Sequence, residues 1–282
     1  MLQVAGMPFQ PSGLLHLGTI ERVIIQQMMN APIVYSYPSV RELQFEISAR
    51  KHIIESAKAM NESQVEFTTF RYARCNPTYW NLTGAGGFLL RPDVFPADAI
   101  LDIYRNSSLY AFECATACVI IYYHAILRSI GRTAFNTFFR NLYLYSWHTD
   151  PDLGLTTFQG SHFLPGDVIY FNNPDFHIQT PWFRGLNAVV LEDGNYFGHG
   201  FGIMSGQEII DFLNTQRNPG SIQPAYLASI VTRPSFNRLS NLSITLHRER
   251  TVPKTTPRVV HHNKNRISLV EHLHYCNIEI QS

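Results

Sequence analysis

Residues 110–127 read YAFECATACVIIYYHAIL. So long an apolar run calls for a buried helix, and Gly131 just beyond it is a natural C′ residue. The run also carries Glu113, Cys114, Cys118 and His124. A carboxylate in such surroundings must be paired, exposed at an edge, or functional. Cys114 has two open readings, a reactive nucleophile or an inert apolar filler, since free cysteine is among the most buried residue types. Asn106, Ser107 and Ser108 are the favoured capping residues nearby. A helix begun there places Cys114 in its second turn.

The rest of the chain supplies material to cover that helix. Residues 39–60 have amphipathic spacing, with Ser39 and Glu42 resembling a capping box. An earlier apolar run, IERVIIQQMM, predicts a helix in a turn-rich N-terminal arm. VEFTTFRY and TYWNLTGAGGFLLR are rich in β-formers around a glycine turn and predict a hairpin. ADAILDIYR predicts a short helix, and residues 132–146 continue as aromatic-rich helix. FLPGDVIYF predicts a turn and strand, and QEIIDFLNTQR a last helix. This mixture of helices and hairpins implies an α+β fold.

LNAVVLEDGNYFGHGFGIM predicts a second hairpin, centred on Asp193-Gly194. A two-residue turn there opposes Leu191 to Tyr196 and Ala188 to His199. One sheet face then holds Leu186, Ala188, Val190, Phe197, His199 and Phe201. His199 lies between Gly198 and Gly200, and glycine in a strand often marks a close approach by a ligand or another backbone. His199 too has two readings, a core histidine satisfied by a backbone carbonyl or the proton-relay partner of a cysteine.

Composition narrows the function classes. Net charge is +1, which makes no electrostatic case for nucleic acid or an anionic membrane. No uncharged apolar segment is long enough to span a bilayer, and no signal peptide is read at the N-terminus. The four cysteines match neither a paired zinc pattern nor a disulfide scaffold, so a reducing compartment and no metal are expected. No phosphate-binding glycine loop appears, and no cofactor is implied. Beyond about residue 235 the composition turns basic, with five of the twelve histidines. Residues 1–235 therefore read as a single domain, and 236–282 as an extension expected to be solvated and disordered.

YAFECATA, VIIYY, HFLPGDVIYFNNPDF, YFGHGFGI and PAYLASIVTRP occur in that order. Together they resemble the spore-coat transglutaminases of Bacillus and its relatives, from the N-terminus to about residue 235. The resemblance implies a papain-like α+β core of the NlpC type, with a cysteine-bearing helix packed on an antiparallel sheet. It implies a calcium-independent protein-glutamine γ-glutamyltransferase that joins glutamine and lysine side chains of coat proteins. Such an enzyme would be made in the mother-cell cytoplasm and end in the spore coat. Cys114 is the implied nucleophile, with Glu113 and His199 as its partners. At the position where the family carries a further glutamate, this chain has Leu186. That departure motivates one alternative, a weakened or inactive structural coat homologue. A second is an amide hydrolase of the NlpC type, although such peptidases place a histidine at the strand position occupied here by Leu186.

Overall fold

The structure, a computed structural model, describes residues 1–10, 17–244, 259–262 and 264. Its centre is an antiparallel sheet of six strands. Their spatial order is Gly202–Met204, Tyr196–Gly198, Gly185–Val190, Val168–Asn172, Tyr226–Arg233 and Thr156–Gln159. Alternation along the strands divides the core in two. Val168, Tyr170, Val189 and Phe197 point into the larger core. Ile169, Phe171, Leu186, Ala188 and Val190 point into a smaller one, where Ile209 and Leu213 of helix Gly206–Thr215 cover them.

Two long helices fill the larger side. Val40–Asn61 starts as expected, with Ser39 accepting from the Glu42 N–H at 3.3 Å. Its Arg50 is fully buried and binds Glu46 at 2.8 Å and Asp167 at 2.9 Å. Arg233 reaches the same Asp167 carboxylate at 2.6 Å. The Pro165–Asp167 turn and the last strand are thereby fixed to this helix. The second long helix is Cys114–Ile130, and every residue through Leu127 is buried. It begins at Cys114 itself, not at the serines upstream. Residues 107–109 form a separate 3₁₀ turn, and Ala111–Phe112 pairs in parallel with Glu66–Phe67 before the helix starts. Strand pairing overrides the local capping preference and moves Cys114 from the second turn to the first position.

Three other expectations change. The helix expected over residues 132–146 spans only Arg132–Phe138. Tyr143–Leu144 instead adds a strand to the hairpin Trp80–Leu82 and Phe88–Leu90, burying Leu144. VEFTTFRY lies outside that hairpin; its Glu66–Phe67 is the partner of Ala111–Phe112. In the second hairpin, Ala188 opposes Gly198, Val189 opposes Phe197 and Val190 opposes Tyr196. Leu191 N–H bonds to the Asn195 carbonyl at 2.9 Å, which makes the loop one residue longer than a two-residue turn. A one-residue slip turns every side chain to the other face. Leu186 therefore does not share a face with His199, and Asn187 takes that place.

Helix Phe236–Leu242 lies beyond the compositional boundary at residue 235. It buries Phe236 and Leu239 in the main core, and the Arg50 guanidinium lies 4.7 Å from the Phe236 ring centre. Farther on, His262 stacks on Phe70, and its backbone N–H donates to Tyr145 Oη at 2.9 Å. The expectation of disorder for the rest of the extension lies outside the described residues.

Candidate active site

Glu113 is the N-cap of the central helix. Ser, Thr, Asp and Asn are the usual residues at that position, but a glutamate can fold back over the first turn. Its Oε1 accepts from Thr116 N at 2.7 Å and Thr116 Oγ1 at 2.9 Å, and its Oε2 accepts from Ala115 N at 3.0 Å. These bonds explain how a carboxylate exists at 1% exposure. They also hold Oε2 3.7 Å from Cys114 Sγ, within reach of the thiol proton. Thr116 Oγ1 is itself fixed, accepting from Ser146 N at 3.0 Å. Since Ala115 and Thr116 spend their N–H groups on Glu113, the Cys114 N–H is the first-turn donor that the carboxylate does not engage.

Cys114 is 1% exposed and lies in the smaller apolar cluster with Leu186. Partly buried Trp182 and Phe201 pack against that cluster, whereas Phe197 turns into the main core. Leu186 fills the space over Gly198, where a Cβ would lie 2.6 Å from Leu186 Cδ2. Glu192, at the hairpin loop, pairs with Lys58 and not with the thiol. Cys118 sits one helical turn along, buried in the main core.

His199 lies beside this site without bonding to the sulfur. Its Nε2 is 3.2 Å from the Phe112 carbonyl and 3.3 Å from the Glu66 carbonyl. Both partners are acceptors, so Nε2 carries the proton. Gly200, at φ +89°, lets Phe67 pack close; a Cβ there would lie 2.7 Å from Phe67 Cγ. His199 thus links the two short strands whose end leads into Glu113 and Cys114. Burial lowers its pKa to about 4, against the raising effect of the carbonyls, so the ring is neutral.

Burial, followed by the Glu113 charge, pushes the Cys114 thiol up to about 12, with Asn187 acting the other way. The resting site is therefore a neutral thiol beside a carboxylate, not a thiolate–imidazolium pair. The Asn187 contact was missed in the sequence. Asn187 is fully buried, and its Nδ2 donates to Cys114 Sγ at 3.3 Å. The correct hairpin register would have pointed to it. Thr116 and Ser146 gave no comparable signal.

Comparison with known proteins identifies the family. Residues 1–243 match the family model described as protein-glutamine gamma-glutamyltransferase. The protein-glutamine gamma-glutamyltransferase of Halalkalibacterium halodurans is 57% identical over 275 residues, spanning 98% of this chain and 96% of that protein. The protein of the same name from Bacillus subtilis is 42% identical over 219 residues, 77% of this chain and 89% of its own. The solved transglutaminase from Geobacillus stearothermophilus, without its C-terminal extension, superposes with a TM-score of 0.70 at 47% identity. It covers 73% of this chain and 98% of its own. The architecture is the α+β, papain-like one that the sequence resemblance implied, and this chain belongs to the protein-glutamine γ-glutamyltransferase family.

Proposed function

We propose that this protein forms ε-(γ-glutamyl)lysine bonds between proteins, with Cys114 as nucleophile and Glu113 as the group that moves the proton. The observation carrying this reading is the placement of Sγ beside Glu113 Oε2 at the start of a buried helix. Glu113 takes the thiol proton as sulfur attacks the glutamine γ-carboxamide. It returns that proton to the departing nitrogen, and ammonia leaves behind a γ-glutamyl thioester. A neutral lysine amine then attacks the thioester and gives its proton through Glu113 to the Cys114 sulfur, which restores the thiol. General acid–base transfer of this kind contributes about 10² to 10⁴ in rate. The apolar surroundings of Cys114 keep water from the thioester, which would otherwise give glutamate.

His199 serves in this scheme as a positioning residue, holding the Phe112 carbonyl two residues before the nucleophile. None of these steps calls on calcium. The resemblance to spore-coat enzymes supports coat proteins as substrates and the mother cell as the place of action. Among the described residues, no helix is long and apolar enough to cross a membrane.

The test is incorporation of a fluorescent primary amine into a glutamine-bearing protein. Wild type and Cys118→Ala should label it, and Cys114→Ala should not. Equal loss in both variants refutes Cys114 as the nucleophile. Leu186, packed as an apolar residue where the family has a glutamate, favours one other reading, a structural coat homologue. Absence of labelling by wild type would support that reading.

A further inference from the structure

We propose that Asn187 is a catalytic residue that recognises the reacting carboxamide and selects glutamine over carboxylate or ester side chains. This inference rests on the acyl-transfer reading above and adds a role that neither the sequence motifs nor the family match supplies. Asn187 lies in the middle of strand Gly185–Val190, opposite Tyr170, on the face that meets the central helix. It is fully buried. Its Nδ2 donates to the nucleophilic sulfur at 3.3 Å. Its Oδ1 is buried and has no hydrogen-bond partner among the described residues. Buried side-chain oxygens are ordinarily paired, and leaving one unpaired is costly. An unpaired acceptor beside the reacting atom is therefore explained by a donor that arrives with the substrate.

The chemistry of the substrate fits that unpaired acceptor. A primary carboxamide carries one carbonyl acceptor and two N–H donors side by side. Asn187 offers the complementary pair, with Nδ2–H for the substrate oxygen and Oδ1 for a substrate N–H. A glutamate side chain would set carboxylate oxygens against Oδ1 without a donor between them. An ester has no N–H to offer. A site whose buried polar groups need a particular substrate hydrogen bond rejects analogues that lack it far more strongly than an apolar pocket can.

The same Nδ2–H has a second use. When sulfur attacks, negative charge develops on the substrate oxygen, close to the donor that contacted sulfur in the free protein. Preorganised donors of this kind typically contribute about 10² to 10³ in kcat. The Cys114 N–H, not engaged by Glu113, supplies a backbone donor on the same side of the sulfur as the helix start. In the second half-reaction the attacking amine brings an N–H to the place the carboxamide nitrogen left. Oδ1 therefore serves both nitrogen substrates in turn.

The experiment compares two substrates with the same acyl chain, a glutamine peptide and the corresponding glutamate γ-methyl ester, each with a fluorescent amine as acceptor. Asn187→Ala should lower kcat/KM on the ester by about 10²-fold through loss of the donor, and on the carboxamide at least tenfold more through loss of the acceptor as well. Asn187→Asp keeps the shape and the acceptor but loses the donor, so both substrates should fall together. Thermal unfolding and alkylation of Cys114 by iodoacetamide report whether each variant is folded with its thiol in place. Equal losses on both substrates in Asn187→Ala, or wild-type rates in Asn187→Asp, overturn the proposal. Should Asn187→Ala not fold, the isosteric Asp variant alone decides the donor role. Failure of wild type to label any glutamine protein is a different result and refutes the acyl-transfer reading itself.

Discussion

Replacing Glu113 by glutamine separates the cap that the structure shows from the proton transfer proposed for this side chain. As an N-cap it accepts from Ala115 and Thr116; as a proton acceptor it lies 3.7 Å from Cys114 Sγ. Glutamine keeps one acceptor oxygen, so the capping loss should be about 1 kcal/mol. Alanine removes both oxygens and leaves two buried N–H groups and the Thr116 hydroxyl short of a partner, which should cost about 3 kcal/mol. For a domain of this size each kcal/mol lowers Tm by about 2–4 °C. The glutamine variant should therefore melt within about 4 °C of wild type and the alanine variant on the order of 10 °C lower.

The chemistry moves the other way. The Glu113 charge is the second cause, after burial, that raises the Cys114 pKa. Without that charge the thiol ionises more readily, so iodoacetamide should alkylate Cys114 in Glu113→Gln faster than in wild type at pH 8. Amine incorporation should nonetheless fall by about 10² to 10⁴, because no base remains to carry the proton. A variant more reactive toward an alkylating agent yet nearly inert toward glutamine is the signature of a proton carrier. Wild-type incorporation in a folded Glu113→Gln protein, or slower alkylation, would refute the assignment.

Two further predictions follow from packing and burial. Ending the chain after residue 235 removes Phe236 and Leu239 from the core, a loss of about 3–6 kcal/mol at about 1.5–3 kcal/mol for each large apolar side chain. Ending it after residue 243 keeps that helix and should melt on the order of 10 °C higher than the shorter form; coincident melting curves would contradict the burial argument. Burial holds His199 and His124 at a pKa of about 4, below the ordinary value of about 6.5, so the unfolded chain binds protons first. Their stabilisation is complete above about pH 6.5 and is lost as pH falls toward 4, roughly 2–3 kcal/mol for each by pH 4.5. Urea unfolding at pH 7.5 and 4.5 checks this, and His124→Gln should flatten the difference; an unchanged slope would count against it.

Much of the fold was legible in residues 110–131, 39–60 and the hairpin around Asp193, because helix and strand periodicity reports which faces are buried. The register was not. Leu191 and Asn195 close a loop one residue longer than the Asp193-Gly194 pair suggests, and that single residue hid Asn187 and gave Leu186 the wrong face. The start of the central helix escaped for a different reason. Asn106, Ser107 and Ser108 are good caps locally, but the pairing of Ala111–Phe112 with Glu66–Phe67 is a long-range contact. Sequence periodicity carries no information about which distant strand will be the neighbour. The Glu113–Cys114 pair was visible as an oddity in an apolar run; its geometry required the cap.

The burial of Cys114 also bears on how this protein ages. Oxidation of a cysteine to sulfenic and then irreversible sulfinic and sulfonic acids follows thiolate character and accessibility. Cys114 is 1% exposed, with its pKa pushed up to about 12, so at neutral pH it offers peroxide almost no thiolate and little surface. In the reaction proposed above the sulfur ionises only as its proton passes to Glu113, so between turnovers it is a poor target for oxidants. Under that proposal, a buried thiol of this kind resists oxidation in aerated surroundings until a substrate reaches it.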